Sequence, residues 1–168
     1  RRERTGKGQW IDVAMYQTGV MNISEYLLDY VANGNPGQRI GNRHRFRAPQ
    51  GVYPAQGEDR WIAISVGTDA QWQALCSLIG KPELAKETRF ANNASRMETH
   101  DELDKIISEW TAGRDRYQLM EDLQQVGIPA GPVLDAMDLH VDPHYRDRGF
   151  LERVVYPQDR KMGSRTLI

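Results

Sequence analysis

Cysteine is nearly absent. Cys76 stands alone in 168 residues, which excludes an internal disulfide framework and predicts a reducing, cytoplasmic setting. Long hydrophobic runs are missing as well. No apolar stretch approaches the ~20 residues of a membrane span, and no charged-then-apolar segment of the secretory kind opens the chain, so no membrane partner is expected. Internal repeats and low-complexity tracts are also lacking. The chain opens on Arg1-Arg2-Glu3-Arg4 rather than Met and stops at Thr166-Leu167-Ile168, which predicts a piece of something longer.

Net charge is almost absent too, at -1, and 39% of residues are hydrophobic. That suffices for one ordinary core, or for one small domain plus part of another. The small total hides an asymmetry. Residues 1–47 hold eight Lys/Arg against four Asp/Glu, whereas the remainder holds fourteen against nineteen. A basic front on an acidic body suits a localised anionic ligand. No aromatic-interleaved basic stripe continues past Arg47, so nucleic acid is not an expected partner.

The charge concentrates in one stretch. Arg39, Arg43, Arg45 and Arg47 fall within nine positions, among Gly41, Pro49 and Gly51. Gly and Pro argue for a loop, and guanidinium offers a planar fork of donors to carboxylate or phosphate. The alternative is a solvated linker.

Before this loop, Trp10–Met15 has the pattern of a short inner strand. Tyr16, Val20, Ile23, Leu27 and Val31 then recur at helical spacing, and Asn33-Gly34 stops the helix. A strand followed by a helix is half of a βαβ unit, an α/β fragment without its partner strands. After the loop, Gly51–Ala55 and Arg60–Val66 predict a β-hairpin around Gln56–Asp59. Thr68 and Gln71 have capping-box spacing, and Trp72, Leu75, Cys76 and Ile79 form an amphipathic stripe. Thr99 and Glu102 offer a second capping box, ahead of Leu103, Ile106, Ile107 and Trp110. Tyr117, Met120 and Leu123 mark another helix. Residues 128–133 are expected to be extended, short helices begin near Asp135 and Pro143, and Phe150–Tyr156 is expected as a last strand. This second part is a small α+β domain with a short antiparallel sheet and several helices.

Three further chemistries fail on the residues. His140 and His144 are four apart, but Asp142-Pro143 interrupts the helix that would pair them and no third ligand is near, so no metal is expected. Cys76 lies on an apolar stripe and is expected in the core. Gly6-Lys7-Gly8-Gln9 lacks the Gly-Lys-Ser/Thr of a phosphate loop. The residue types alone name no catalytic acid or base.

Taken in order, the segments Gly6–Val13, Arg39–His44, Pro49–Tyr53, Asp59–Ile64, Trp72–Cys76, Arg89-Phe90 with Arg96, Gly127–Val133 and Asp142–His144 resemble the class III CoA-transferase family, which contains carnitine-CoA transferase and the bile-acid-induced proteins. No single segment is specific; the shared order and spacing are. The resemblance implies a Rossmann-like large domain built from both chain ends, a small domain from the middle, and an interlocked homodimer. On that pattern residues 1–34 are the end of the first large-domain half and 35–50 a linker and loop over the active site. Residues 51–149 are the small domain, and 150–168 the last strand and the return.

The resemblance also implies an enzyme that moves CoA from an acyl-CoA to a carboxylic acid through an aspartyl anhydride and an enzyme-bound thioester. The CoA thioester is then a substrate, and no cofactor is permanently bound. No aspartate here matches the nucleophile, so no catalytic residue is assigned and this portion alone is expected to be inactive. Met15 matches a position beside the CoA adenine. Asn42, Arg43, His44 and Arg45 belong to the segment that covers the thioester and are expected to bind substrate. That segment is a glycine run in formyl-CoA transferase, which argues against oxalate–formate exchange here. Two alternatives stand beside this reading. One is an α-methylacyl-CoA racemase of the same fold, although some members carry a functional Glu where this chain has Thr68. The other is a noncatalytic binding or assembly module.

Overall fold

The structure, a computed structural model, describes residues 2–155 and 164–167. The chain divides into two compact units, Arg1–Gly41 and Asn42–Ile168.

The first unit is helical: α1 (Arg2–Thr5), α2 (Met15–Asn22) and α3 (Ser24–Asn33). It corrects two expectations. Residues 10–14 form no strand, and Met15 opens a helix instead of closing a strand. A strand exists only through its ladder, and Trp10, Ile11 and Val13 are exposed, with no pairing segment among the described residues. The single helix expected from Tyr16 is broken at Ile23, whose φ of -115° and ψ of 19° are non-helical. Asn22, Ile23 and Ser24 are all weak helix formers, and their run is the local cause. Gly34 ends α3 as expected, left-handed at φ 70° with its N–H on the Tyr30 carbonyl.

The second unit is built on a three-stranded antiparallel sheet in the order β1-β2-β3, from β1 (Gln50–Pro54), β2 (Trp61–Ser65) and β3 (Ala130–Pro132). The hairpin follows from alternation. Ile62, Ile64 and Val66 are buried, whereas Trp61 and Ala63 on the other face are exposed. Its turn closes with the Ala55 N–H on the Arg60 carbonyl at 2.8 Å. The extended segment after Gly127 becomes β3 and pairs Gly131 with Ala63.

Helices cover the buried face of the sheet. They are α4 (Asp69–Ile79), α5 (Asn93–Glu98), α6 (His100–Thr111) and α7 (Arg116–Gln125), with 3-10 turns at Pro82–Lys86 and Thr88–Phe90. Trp72, Leu75 and Cys76 from α4, Leu103 and Ile107 from α6, and Leu119 and Leu123 from α7 meet Ile62 and Ile64 in one core. Each of the Leu and Ile side chains contributes about 1.5–3 kcal/mol by leaving water. Leu119 was not among the residues picked out by spacing.

The caps differ in detail from the sequence expectation. The Thr68 hydroxyl accepts from the Gln71 N–H, but the Gln71 side chain takes the Gly67 N–H rather than that of Thr68. Thr99 does not cap α6; its hydroxyl donates back to the Ser95 carbonyl. Asp115 caps α7.

Beyond β3 come α8 (Ala136–Val141), α9 (Pro143–Asp147) and β4 (Glu152–Val155), which pairs with β5 (Ser164–Leu167). The strand expected over 150–156 thus starts at Glu152 rather than Phe150 and is not the last, since β5 follows it; Tyr156 lies outside the described residues.

Candidate substrate-facing site

From Asn42 onward the arginine-bearing loop belongs to the second unit, and side chains of that unit fix it. Asn93 accepts the Ala48 N–H and donates to the Phe46 carbonyl, both at 3.1 Å. Arg96, fully buried, donates Nε to the Ala48 carbonyl at 2.8 Å, Nη1 to the Phe90 carbonyl at 3.1 Å, and Nη2 to Asp69 at 2.7 Å. Those bonds satisfy a guanidinium that would otherwise be costly to bury. His100 Nε2 accepts the Gln50 N–H at 3.2 Å. Ala48 and Pro49 are buried beneath this frame.

The start of the loop is held electrostatically. Arg43 Nη2 lies 2.7 Å from Asp104 and also donates to Asp101. The hydrogen bond from Arg43 holds the Asp101 carboxyl below its ordinary range. Tyr53 donates its hydroxyl to the other Asp104 oxygen at 3.0 Å, and burial raises the phenol well above its usual value, so it stays a donor. Gly51 makes room for that ring: a Cβ there would stand 3.0 Å from the Tyr53 Cζ and hydroxyl. His100 sits between these groups, its pKa lowered chiefly by burial.

The candidate residues occupy different settings. Asn42 lines a cavity of about 430 Å³ on the open face of the sheet, together with Gln50, Val52, Ala63, Ser65 and Gly131. Arg43 is tied to two carboxylates. His44 closes a tight turn, with its Nδ1 on the Phe46 N–H at 3.0 Å, and Arg45 is half-buried in the same turn. Met15 lies in the other unit, 87% exposed at the start of α2. His140 is on α8 and His144 on α9, separated by Asp142, which caps α9. Among the described residues no group of three or more His, Cys, Asp or Glu could hold a metal ion. Cys76 is buried, and burial pushes its thiol up to about 12.

Spacing alone did not give the frame of Asn93, Arg96, His100 and Asp104. Their bonds cross some 50 residues of sequence, and only the Arg89-Phe90…Arg96 segment flagged the region.

A loop of arginines fixed by its own unit and bordering a concave sheet face can receive a small anionic molecule. The chain belongs to CoA-transferase family III, whose sequence profile matches residues 1–166. It is 36% identical to acetyl-CoA:oxalate CoA-transferase of Acetobacter aceti over 89% of this chain and 38% of that protein. It is 34% identical to succinyl-CoA–D-citramalate CoA-transferase of Chloroflexus aurantiacus, over 86% of this chain and 36% of that one. A CAIB/BAIF family protein from Brucella suis has a crystal structure that superposes with a TM-score of 0.78 at 34% identity, covering 90% of this chain and 39% of that one. The chain thus spans about two fifths of the length of these three relatives.

Proposed function

We propose that this chain is the small-domain portion of an enzyme that moves CoA between an acyl-CoA and a carboxylic acid. The observation that carries the proposal is the family match along nearly the whole chain. The loop from Asn42 to Gln50, held in one conformation by Asn93, Arg96 and His100, supports it as a fixed cover over a reacting thioester.

In this mechanism an aspartate carboxylate attacks the thioester carbonyl. An anhydride C–O bond forms, the C–S bond breaks and CoA leaves as thiolate. The thiolate then attacks the aspartyl carbonyl and releases the first acid, leaving an aspartyl-CoA thioester. An acceptor carboxylate repeats the two steps in reverse. The nucleophile lies outside this chain. Several aspartates here already have structural roles: Asp69 pairs with Arg96, Asp101 and Asp104 with Arg43, and Asp115, Asp135 and Asp142 cap helices. Thr68, at the position where some racemases carry Glu, is a helix cap, which favours transfer over racemisation.

Relatives named for oxalate, citramalate and mesaconate suggest a dicarboxylic acid as acceptor. Within the loop, Asn42, His44 and Arg45 contact substrate and Arg43 sets the loop's position. Exposed Met15 lies beside the CoA adenine. The whole protein is an interlocked, cytoplasmic homodimer.

The test is an assay of the full-length protein with succinyl-CoA and dicarboxylic acids, following new CoA thioesters by chromatography. Transfer is expected there, and none from the 168-residue chain alone. Deuterium exchange at the α-carbon of a 2-methylacyl-CoA in D2O, with no transfer, would replace this reading with a racemase.

A further inference from the structure

The four loop arginines are not equivalent. Arg43 is neutralised by Asp101 and Asp104. Arg47 is exposed and makes no ion pair among the described residues; the one polar contact of its side chain there is Nη1 to the Ser65 hydroxyl at 3.4 Å. That long bond places the cation at the edge of the sheet-face cavity, which Ser65 lines.

Strand register defines the cavity's interior. Val52 pairs with Ala63 and Ala63 with Gly131, so these three share one row across the open face, and Gln50 pairs with Ser65 in the next row. The row through Ala63 is short and apolar. A Cβ at Gly131 would meet nothing within 4 Å, so this strand contributes space. The Gln50–Ser65 end is polar. The Ser65 hydroxyl donates to Gln50 Oε1 at 2.8 Å, which leaves the Gln50 amide nitrogen without a partner among the described residues. One end of the cavity therefore carries a guanidinium and an amide donor, and its floor carries small side chains.

We propose that this cavity binds a short aliphatic dicarboxylic acid, with one carboxylate on Arg47 and Gln50 and the carbon chain over Ala63 and Gly131. The cavity supplies partners for one carboxylate, so the choice of a dicarboxylic acid rests on the transferase reading: Arg47 would hold the carboxylate that does not react, and so select dicarboxylic over monocarboxylic acceptors. Guanidinium can take that carboxylate through two parallel N–H bonds, an arrangement a monocarboxylic acid of equal length cannot use while its single carboxylate is at the reacting centre.

The test has two arms. In the first, the isotopically labelled chain is titrated with succinate and with its uncharged diamide, succinamide, and NMR follows the Arg47 Nε–H and the amides of Ala63 and Gly131. Succinate is expected to give saturable shifts at these groups, with the uncharged diamide at least about ten-fold weaker. Arg47→Gln should weaken succinate by about ten-fold or more. Gly131→Val should do the same by filling the floor, while the remaining amides keep their positions and report an intact fold. Equal shifts with succinate and succinamide, shifts scattered over the surface, or an unchanged succinate affinity in Arg47→Gln would overturn the site.

In the second arm, Arg47→Gln in the full-length enzyme should raise KM for succinate by about ten-fold or more and leave butyrate within about two-fold. An equal loss with both acids would reduce Arg47 to a structural role and overturn the selectivity claim. Succinate binding without any CoA transfer by the wild-type enzyme would remove the transferase reading and leave the site standing.

Discussion

Arg43 and Asp104 are joined across 61 positions of sequence by a 2.7 Å hydrogen bond, and Asp104 takes the Tyr53 hydroxyl at the same time. The pair ties the start of the loop to α6 and the sheet. It also distinguishes one arginine from its neighbours in a way that composition cannot.

A double-mutant cycle on Arg43→Ala and Asp104→Asn should therefore give a coupling of about 0.5–1 kcal/mol in urea unfolding. Because the Arg43 side chain is 40% exposed, the coupling should shrink in about 1 M salt. A coupling of zero at low salt would mean that the bond does not persist in solution.

Arg96→Met should cost about 3 kcal/mol, because it removes three hydrogen bonds from a fully buried site and frees the Ala48 and Phe90 carbonyls. Arg96→Lys should recover less than half of that, since one ammonium cannot span the three acceptors. Full stability in the Lys variant would argue that charge alone is needed there.

His100 predicts a pH dependence. Its pKa in the fold is lowered from the ordinary 6.5, mainly by burial and against the pull of Asp104, with Arg43 lowering it further. Between the folded pKa and 6.5 the unfolded chain binds the extra proton, so the contribution is complete above pH 6.5 and is lost as pH falls below it. Asp101 has a depressed pKa, so its own loss begins lower, near the ordinary 3.8. Urea midpoints at about pH 7.5 and 5.5 should differ in the wild type and converge in His100→Gln. His100→Gln keeps an acceptor for the Gln50 N–H. An unchanged difference in that variant would assign the effect to another group.

Cys76 should not react with a thiol reagent at about pH 8 until the second unit unfolds, since its thiol is buried and pushed up to about 12. Modification at the rate of a free thiol in native buffer would contradict its place in the core.

Local periodicity carried much of the second unit. Alternation sets Ile62, Ile64 and Val66 on one face of the hairpin, which the structure buries, and Trp72, Leu75 and Cys76 gave α4, because each pattern repeats within a few residues. Trp10–Met15 misled for the same reason. An apolar pattern can satisfy a strand, but the strand needs a neighbour, and a helix starts at Met15 instead. The break at Ile23 needed only weak helix formers, which periodicity overlooks. The frame around the loop was illegible because Arg96 and His100 look like ordinary charged and polar positions in sequence. Their burial is a tertiary fact, as is the contrast between paired Arg43 and Arg47.

The loop's fastenings all come from the stretch that begins at the loop and ends on α6. Transplanting residues 42–50 alone into a relative would strand the hydrogen bonds of Asn93 to Phe46 and Ala48, of Arg96 to Ala48, of His100 to Gln50, and of Arg43 to Asp101 and Asp104. Transplanting 42–104 would carry loop, anchors and Asp104 together. The unit that keeps this loop in its shape is therefore far longer than the loop, since it takes in the β1–β2 hairpin, α4, both 3-10 turns, α5 and the start of α6.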